Sequence, residues 1–303
     1  METCHIGTII KHFREQAGIS REDLAKGIVD PTTLWRIEEG HTMPSKRKID
    51  IIFQKLNVNP NSLGVNFVSN EGAKLQILMD SLDSGLIRKN AEATDEIIAE
   101  LEGNKMFMND KHIKQLVMAA KVANVLHTGI LPTVAIDMLK ESMDVTWRSF
   151  CEDEIEQYFL TRVDFTIINM MALQYHALKE YERAANILYR LKKYIEDKCI
   201  DKIERGKRYP LVIFNLTNTL YKMGQYDDVI KLCDKGKEVC LDTGYLWWMP
   251  TIIYNKARSL YSIEKKDECE KLLREAYITS RFYGRDVEAD IIKNYAARRN
   301  IVL

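Results

Sequence analysis

The chain has 303 residues, of which 46% are hydrophobic, and its 44 Lys and Arg residues balance its 44 Asp and Glu residues. This length allows two domains, or one domain followed by a repeat array. Gly (14) and Pro (6) are scarce, which argues against an all-β fold because its many turns need these residues. The zero net charge argues against nucleic-acid binding through bulk charge, so any such binding must depend on the local placement of charges.

Several classes of protein lack their usual sequence signals here. The six cysteines are widely spread and form no CxxC pair, which favours reduced thiols in a cytosolic protein. The first residues, METCHIGTIIKHFREQ, are charged and amphipathic, unlike a signal peptide, and no apolar run approaches the ~20 residues of a membrane helix. No P-loop, GxSxG, HExxH or Cys/His metal spacing occurs. We therefore expect a cytoplasmic protein that is not an enzyme, with no membrane segment, cofactor or metal.

The first 66 residues carry the pattern of four short helices, predicted at about 5–17, 20–28, 30–40 and 45–57. Ser20 and Asp30 are N-cap residues for the second and third helices, and Pro31 fits the first helical turn, where its missing N–H costs nothing. Gly18 and Gly40 end the first and third helices, because glycine readily adopts the left-handed conformation of a C-cap.

The second and third predicted helices are joined by a very short connection around Val29 and Asp30, which defines a helix-turn-helix. On the third helix, Leu34 and Ile37 point towards the core. The opposite face carries Thr32, Trp35 and Arg36, with Thr33 at its flank. Arg makes bidentate contacts to guanine, and Thr contacts a thymine methyl group or a phosphate, so this face is a candidate for reading DNA bases.

The segment GISREDLAKGIVDPTTLWRIEEGHTMPS resembles the helix-turn-helix of the lambda- and 434-repressor (XRE) class. It is closer still to the version found in peptide-responsive regulators of low-GC Gram-positive bacteria, the Rgg/Rap/NprR/PlcR/PrgX group. This resemblance implies a lambda-repressor-like DNA-binding domain over residues 1–66. It also implies a scaffold role for Arg14 paired with Glu38. Arg21 stands where the class often carries a Gln that braces a phosphate, and we expect Arg21 to hold a phosphate as well.

The fourth predicted helix opens with Lys46 and Arg47, whose charges and backbone N–H groups are candidates for a phosphate. Lys11 is a further phosphate candidate. The predicted DNA interface therefore consists of Arg21, Thr32, Thr33, Trp35, Arg36, Lys46 and Arg47. Two alternatives remain open at this point: the helix-turn-helix is retained as a protein-docking module, or an individual basic residue is only a solvated surface charge.

Helical periodicity continues from residue 70 to the end, and its later part is repetitive. Residues 215–232 (NLTNTLYKMGQYDDVIKL) and 255–272 (NKARSLYSIEKKDECEKL) share an Asn, a Leu-Tyr pair and a final Leu at a spacing of 40. A turn near Gly224 is followed by a helix that begins with Tyr226. This pattern resembles the tetratricopeptide repeat, whose helical hairpins stack because none buries its apolar face alone. We predict an all-α chain in which residues 70–303 form a degenerate tetratricopeptide-like solenoid.

The combination of head and body resembles the architecture of the Rgg/PlcR-type group. In that group the concave repeat surface binds a short imported peptide, gripped by Asn side chains because an amide matches the donor and acceptor of a peptide unit. The positions that fit here are Asn169, Asn215 and Asn255, and Arg162 is a candidate for a peptide carboxylate. The alternative is that these amides cap or bridge neighbouring helices.

These observations predict a transcription regulator that binds double-stranded DNA through its head and a short signalling peptide through its body. A homodimer is expected from the two-fold symmetry of DNA half-sites. Two other functions stay open: a repeat adaptor that binds a partner protein, and a dimeric repressor that senses no ligand.

Overall fold

A computed structural model describes residues 6–56, 78, 81–82, 91–126, 129–147, 149–158, 160–198 and 202–303. All regular secondary structure in these ranges is helical, as the all-α prediction requires. None of the helices in these ranges has the length and hydrophobicity needed to cross a membrane. The predicted boundary between the two domains, at residues 66–70, lies outside the described residues.

Within residues 6–56 the N-terminal head contains four helices, α1 (Ile6–Gln16), α2 (Arg21–Ala25), α3 (Pro31–Glu38) and α4 (Lys46–Lys55). Their starts follow the predicted caps: the Ser20 hydroxyl accepts a hydrogen bond from the Asp23 N–H at 3.0 Å, and Asp30 caps α3 with Pro31 in the first turn. Gly18 and Gly40 have positive φ values of 65° and 78°, as expected for residues that end helices.

The connection between α2 and α3 is longer than predicted. We expected the second helix to reach Ile28, but α2 ends at Ala25 and five residues, 26–30, separate it from α3. The physical reason is Gly27, whose φ of 81° is incompatible with continued right-handed helix. The helix-turn-helix order of elements is unchanged.

The head has its own hydrophobic core, to which all four helices contribute. Its members are Ile6, Ile10, Leu24, Ala25, Leu34, Ile37, Ile52, Phe53 and Leu56. Burying each of the Ile, Leu and Phe side chains stabilises the head by about 1.5–3 kcal/mol. Helix α1 crosses α3 closely at Gly7, where an added Cβ would overlap the carbonyl oxygen of Ile37 and lie 2.7 Å from its carbon.

The chain folds into two compact units. The first unit contains residues 1–151 and 157–170, and the second contains residues 152–156 and 171–303. After the head, the first unit continues with α5 (Ala91–Gly103), α6 (Lys105–Asn109), α7 (Lys111–Val125) and α8 (Pro132–Asp144). A 3-10 segment (Glu152–Gln157) and α9 (Arg162–Ala177) follow, and the division between the units falls within α9.

Within the first unit, a buried polar cluster links α7 to the start of α9. The Gln115 amide donates to the Asp164 carboxylate at 2.7 Å, and the other carboxylate oxygen accepts hydrogen bonds from the N–H and hydroxyl of Thr161. These three bonds satisfy a fully buried acid, which otherwise costs several kcal/mol to bury.

The second unit is an array of helical hairpins formed by α10 (Tyr181–Asp197), α11 (Lys202–Lys222), α12 (Tyr226–Thr243), α13 (Met249–Ser262), α14 (Lys266–Phe282) and α15 (Asp286–Ala297). Each helix packs against the next one along the chain, and α11 also packs against α13. Hairpin stacking of this kind is the repeat architecture predicted from the sequence.

Cys233 and Cys240 are buried free thiols on α12, and burial raises the pKa of both to about 12.

The same turn precedes four helices of this region. Lys179, Gly224, Glu264 and Gly284 all have φ values between 64° and 76°. In each case the N–H of the following residue bonds to the carbonyl five residues earlier, from Glu180 to Tyr175, Gln225 to Leu220, Lys265 to Leu260 and Arg285 to Ser280. This is the 6→1 bond of a Schellman motif, which satisfies a carbonyl left over at the helix end. The sequence pattern revealed this turn only at Gly224.

Candidate functional site

The outward face of α3 is arranged as predicted. Leu34 and Ile37 are at most 1% exposed, whereas Thr32, Trp35 and Arg36 lie on the exposed side. The Trp35 ring lies beside the His41 ring, with 5.7 Å between their centroids. A 42% exposed tryptophan next to an exposed arginine is an uncommon combination on a short helix, because burial usually stabilises so large an apolar ring.

Thr33 is part of the cap of α3. Its backbone N–H donates to Asp30 Oδ1 at 2.8 Å, and its hydroxyl donates to the other carboxylate oxygen. These bonds lower the pKa of Asp30, because they stabilise its charged form. Thr33 therefore fixes the start of the helix, and a DNA contact by its hydroxyl would compete with this cap.

A three-residue ion cluster connects α1, α2 and α3. Arg14 donates to the two Glu38 oxygens at 2.5 and 3.2 Å, and Arg21 Nε donates to Glu38 Oε2 at 2.6 Å. The Arg14–Glu38 pair confirms the predicted scaffold contact, and it raises the pKa of Arg14. Arg21 is a second cation on the same carboxylate, so its predicted phosphate contact would be made by a side chain already anchored to the scaffold.

The other basic residues of the predicted interface differ in their surroundings. Lys46 begins α4, and its side chain lies outside what the structure describes. Lys11 pairs with Glu39 at 2.9 Å on the surface.

Arg47 is half-buried and turned towards the remainder of the first unit. Its guanidinium carbon lies 4.0 Å from the centre of the Trp147 ring, and Nη1 donates to the Thr146 carbonyl at 3.1 Å. Burial lowers the pKa of Arg47. A phosphate contact by Arg47 would require the side chain to leave the Trp147 ring, so the surface position expected from the sequence is not the one observed.

The three asparagines predicted to bind a ligand are buried. Asn169 is 6% exposed, Asn215 is 4% exposed and Asn255 is 0% exposed. Asn169 lies in the first unit, and Asn215 and Asn255 lie in the second. Asn255 therefore presents no exposed surface to a ligand in this structure, whereas Asn169 and Asn215 each keep a small exposed area.

Asn255 joins two neighbouring hairpins. Its Nδ2 donates to Thr217 Oγ1 at 2.8 Å and to the Phe214 carbonyl at 3.3 Å, both on α11. The bridging role, which was the alternative interpretation of this amide, therefore describes Asn255 in this structure.

Replacing Asn255 with alanine is expected to lower the free energy of unfolding by about 1–3 kcal/mol, because Thr217 and Phe214 lose a buried donor. The measurement is urea denaturation followed by helical circular dichroism. Asn186→Ala is the control, since Asn186 is exposed and, within the described part of the chain, its side chain bonds to Asp153 alone, at 3.1 Å. Equal stability of the two variants would contradict the bridging role.

Arg162, the predicted carboxylate-binding residue, is exposed at the start of α9. The sequence analysis missed a polar pair in the second unit, Asn218 on α11 and Arg258 on α13, whose side chains contact each other. The repeat alignment contained a signal for this pair, because the two residues occupy equivalent positions 40 residues apart.

Among the described residues, no group of three or more His, Cys, Asp or Glu is placed to hold a metal ion.

Comparison with known families identifies the class of the head. Residues 10–63 match the family model described as helix-turn-helix. The matched segment includes α3 and its exposed face. No curated protein sequence matches the chain.

Solved structures similar to the whole chain include those of two bacterial proteins. PlcR from Bacillus thuringiensis in complex with the peptide PapR7 and DNA gives a TM-score of 0.58 at 17% identity, over 98% of both chains. The apo form of PlcR gives 0.61 at 16% identity, over 95% of this chain and 98% of that one. The competence regulator ComR from Streptococcus vestibularis, in complex with its cognate signalling peptide XIP, gives 0.57 at 14% identity, over 98% and 99%. These similarities confirm the predicted fold, a helix-turn-helix head followed by tetratricopeptide-like helices.

Proposed function

We propose that this protein is a cytoplasmic, DNA-binding transcription regulator whose helical body binds a short signalling peptide. The observation that carries the proposal is the exposed Thr32, Trp35 and Arg36 face on the third helix of a helix-turn-helix. The proposal assigns DNA binding to residues 1–66 and ligand binding and dimerisation to residues 70–303.

In the proposed complex, α3 lies in the major groove. Arg36 donates two hydrogen bonds to a guanine, and Thr32 and Trp35 pack against thymine methyl groups or sugars. The cap formed by Asp30 and Thr33 keeps α3 in the orientation that this docking needs. Arg21 and Lys46 hold phosphates at the flanks, and Arg47 does so where it leaves Trp147.

The ligand part of the proposal is supported by the fold that the chain shares with PlcR and ComR, two proteins solved with bound peptides. A peptide regulates DNA binding only where it has different affinities for two states of the protein. The predicted homodimer supplies such states, because the spacing of its two heads decides whether both meet DNA half-sites one helical turn apart.

Replacing Arg36 with alanine is expected to weaken binding to a specific site by about 1–3 kcal/mol and to relax the preference for the base pair that Arg36 contacts. Duplexes are first enriched from a randomised pool with the wild-type protein. Fluorescence anisotropy then gives the affinity of both proteins for the enriched duplex and for single-base variants, across a salt series.

The control for this experiment is Lys231→Ala, which removes a positive charge from an exposed site on α12 in the second unit. It should leave affinity, base preference and salt dependence unchanged. Enrichment of no sequence, together with equal binding by the Arg36 variant and the wild type, would contradict DNA recognition and leave a protein-docking role for the head. Specific binding that weakens with added salt would support phosphate contacts.

A further inference from the structure

An unusual group of side chains occupies the first helices of successive hairpins in the second unit. Arg258 on α13 lies with its guanidinium carbon 4.2 Å from the Tyr221 ring centre and 5.6 Å from that of Tyr254. Beside it, Arg299 lies 3.6 Å from the Tyr295 ring centre and 4.8 Å from that of Tyr261. We call these residues, two arginines and four tyrosines, the arginine–tyrosine cluster.

The cluster is continuous from α11 to the residues that follow α15. The rings of Tyr254 and Tyr295 meet edge to face with their centres 5.5 Å apart, and the Tyr261 ring centre lies 6.4 Å from that of Tyr295. All six side chains are only partly exposed. Tyrosine ring faces attract cations, which explains why the guanidinium groups lie against them.

The charge of Arg258 is not balanced by an acid. Among the described residues, Arg258 forms no ion pair, and its one side-chain hydrogen bond is from Nη2 to the neutral amide oxygen of Asn218. Its Nε is enclosed without an acceptor, and burial lowers its pKa. Nη1 has no hydrogen-bond partner among these residues and is not among the enclosed atoms.

Six other arginines of the second unit have an acidic partner, whereas Arg205, Arg298 and Arg299 share with Arg258 the lack of one among the described residues. Each of the following pairs with a carboxylate within 4 Å: Arg183, Arg190, Arg208, Arg274, Arg281 and Arg285. Arg285 is the nearest comparison, because it is more buried than Arg258 and lies against the Trp247 and Trp248 rings, yet Glu288 pairs with it at 2.6 Å. Buried charges in proteins are normally paired. Arg258 is therefore unusual in having no carboxylate beside its guanidinium group.

We propose that Arg258 receives this counter-charge from the ligand, and that the second unit therefore selects peptides carrying a carboxylate at this position. The guanidinium presents a planar set of donors that matches a carboxylate, and Nη1, which is neither enclosed nor bonded to a described residue, is the donor left for it. Tyr221 and Tyr254 hold the guanidinium plane, and Asn218 fixes its rotation. Arg299 adds a second positive charge nearby, which strengthens the attraction for an anion.

This inference rests on the proposed peptide-binding function and specifies the chemistry of the ligand. A peptide carboxylate has two sources, an acidic side chain or the free C-terminus. Three pools of short N-acetylated peptides, randomised over uncharged residues, separate them. The first pool carries one glutamate and a C-terminal amide, the second has only a free C-terminus, and the third has glutamine in place of glutamate and a C-terminal amide.

The full-length protein is incubated with each pool, and retained peptides are quantified by mass spectrometry after size exclusion. We expect retention of the first or the second pool to exceed that of the third by about tenfold or more, the contribution of one charge-assisted contact. Whichever pool is retained identifies the source of the carboxylate.

Arg258→Lys keeps the charge but removes the planar donor set, and it should reduce the preference for the anionic pool by about tenfold. Arg285→Lys is the matched control, and it should retain the full preference because Glu288 already balances that charge. Equal retention of all three pools by the wild type, or an unchanged preference in Arg258→Lys, would overturn the inference. If the peptide preference is absent but the protein still binds DNA, the DNA-binding part of the proposed function is unaffected. If the protein retains anionic peptides but does not bind DNA, only the DNA-binding part is overturned.

Discussion

Replacing Glu38 with alanine is expected to abolish specific DNA binding, although Glu38 lies on the buried side of α3. Glu38 accepts hydrogen bonds from both Arg14 and Arg21, and its side chain is 0% exposed. Without it, the Arg14 guanidinium, 9% exposed, keeps its charge and has beside it only the 56% exposed Glu15 carboxylate, at 3.2 Å. Removing one partner of a buried ion pair in this way costs about 3–5 kcal/mol.

The loss of stability should be confined to the head. Hydrogen exchange followed by mass spectrometry is expected to show amides of α1–α4 exchanging roughly 10²- to 10³-fold faster, the factor that corresponds to such a loss. Amides of α10–α15 should keep their rates. Anisotropy with the enriched duplex measures the accompanying loss of DNA binding.

The neighbouring residue provides the control. Glu39 is also a glutamate in an ion pair, with Lys11 at 2.9 Å, but both side chains are more than a third exposed. Exposed pairs contribute about 0–1 kcal/mol, so Glu39→Ala should change exchange rates and DNA binding little. If the two variants behaved alike, the ion cluster would not be the element that orients α3.

Replacing Gly7 with alanine is expected to destabilise the head by about 3 kcal/mol or more, although it adds only one methyl group. Glycine is needed here because α1 and α3 cross with backbone against backbone, so the new Cβ would meet the Ile37 carbonyl group and, at 3.0 Å, the Cα of Glu38. Backbone atoms cannot rotate away as a flexible side chain does, so the helices must separate and core contacts are lost.

Gly103→Ala is the matched control for this substitution. Gly103 ends α5, and an added Cβ there has no atom within 4 Å. Because alanine has the higher helix propensity, the control should be neutral or slightly stabilising. Urea denaturation together with exchange in α1 and α3 compares the two variants, and unchanged exchange in Gly7→Ala would contradict the close crossing.

Local rules were sufficient to predict the head from the sequence. The Ser20 and Asp30 caps, the turn glycines and the apolar spacing of Leu34 and Ile37 each act within a few residues, and their predictions agree with one another. The exposed face of α3 followed from the same spacing. The error at the end of α2 arose because Gly27 interrupts an apolar pattern that otherwise continues to Ile28.

Features that depend on distant residues were not predictable. Arg47 lies on Trp147, about a hundred positions later in the chain, and nothing near either residue indicates the contact. Asn255 was identified as a repeated position, but whether its amide faces a ligand or Thr217 is decided by how α11 and α13 pack. The unpaired charge of Arg258 was not predictable for the same reason, since only the packed structure shows which arginines lie beside a carboxylate.

The Schellman turns of the second half of the chain also bear on how such repeat proteins diverge. The turn needs one residue with positive φ and one backbone hydrogen bond, and glycine, lysine and glutamate all occupy that position here. A non-glycine residue in this conformation costs about 1–2 kcal/mol, a penalty small enough for stacked hairpins to tolerate. Selection can therefore act on the backbone geometry while the signature residues drift. The chain shares the fold of PlcR, with a TM-score of 0.58, at only 17% identity. Backbone geometry is therefore a more durable mark of this architecture than any signature residue.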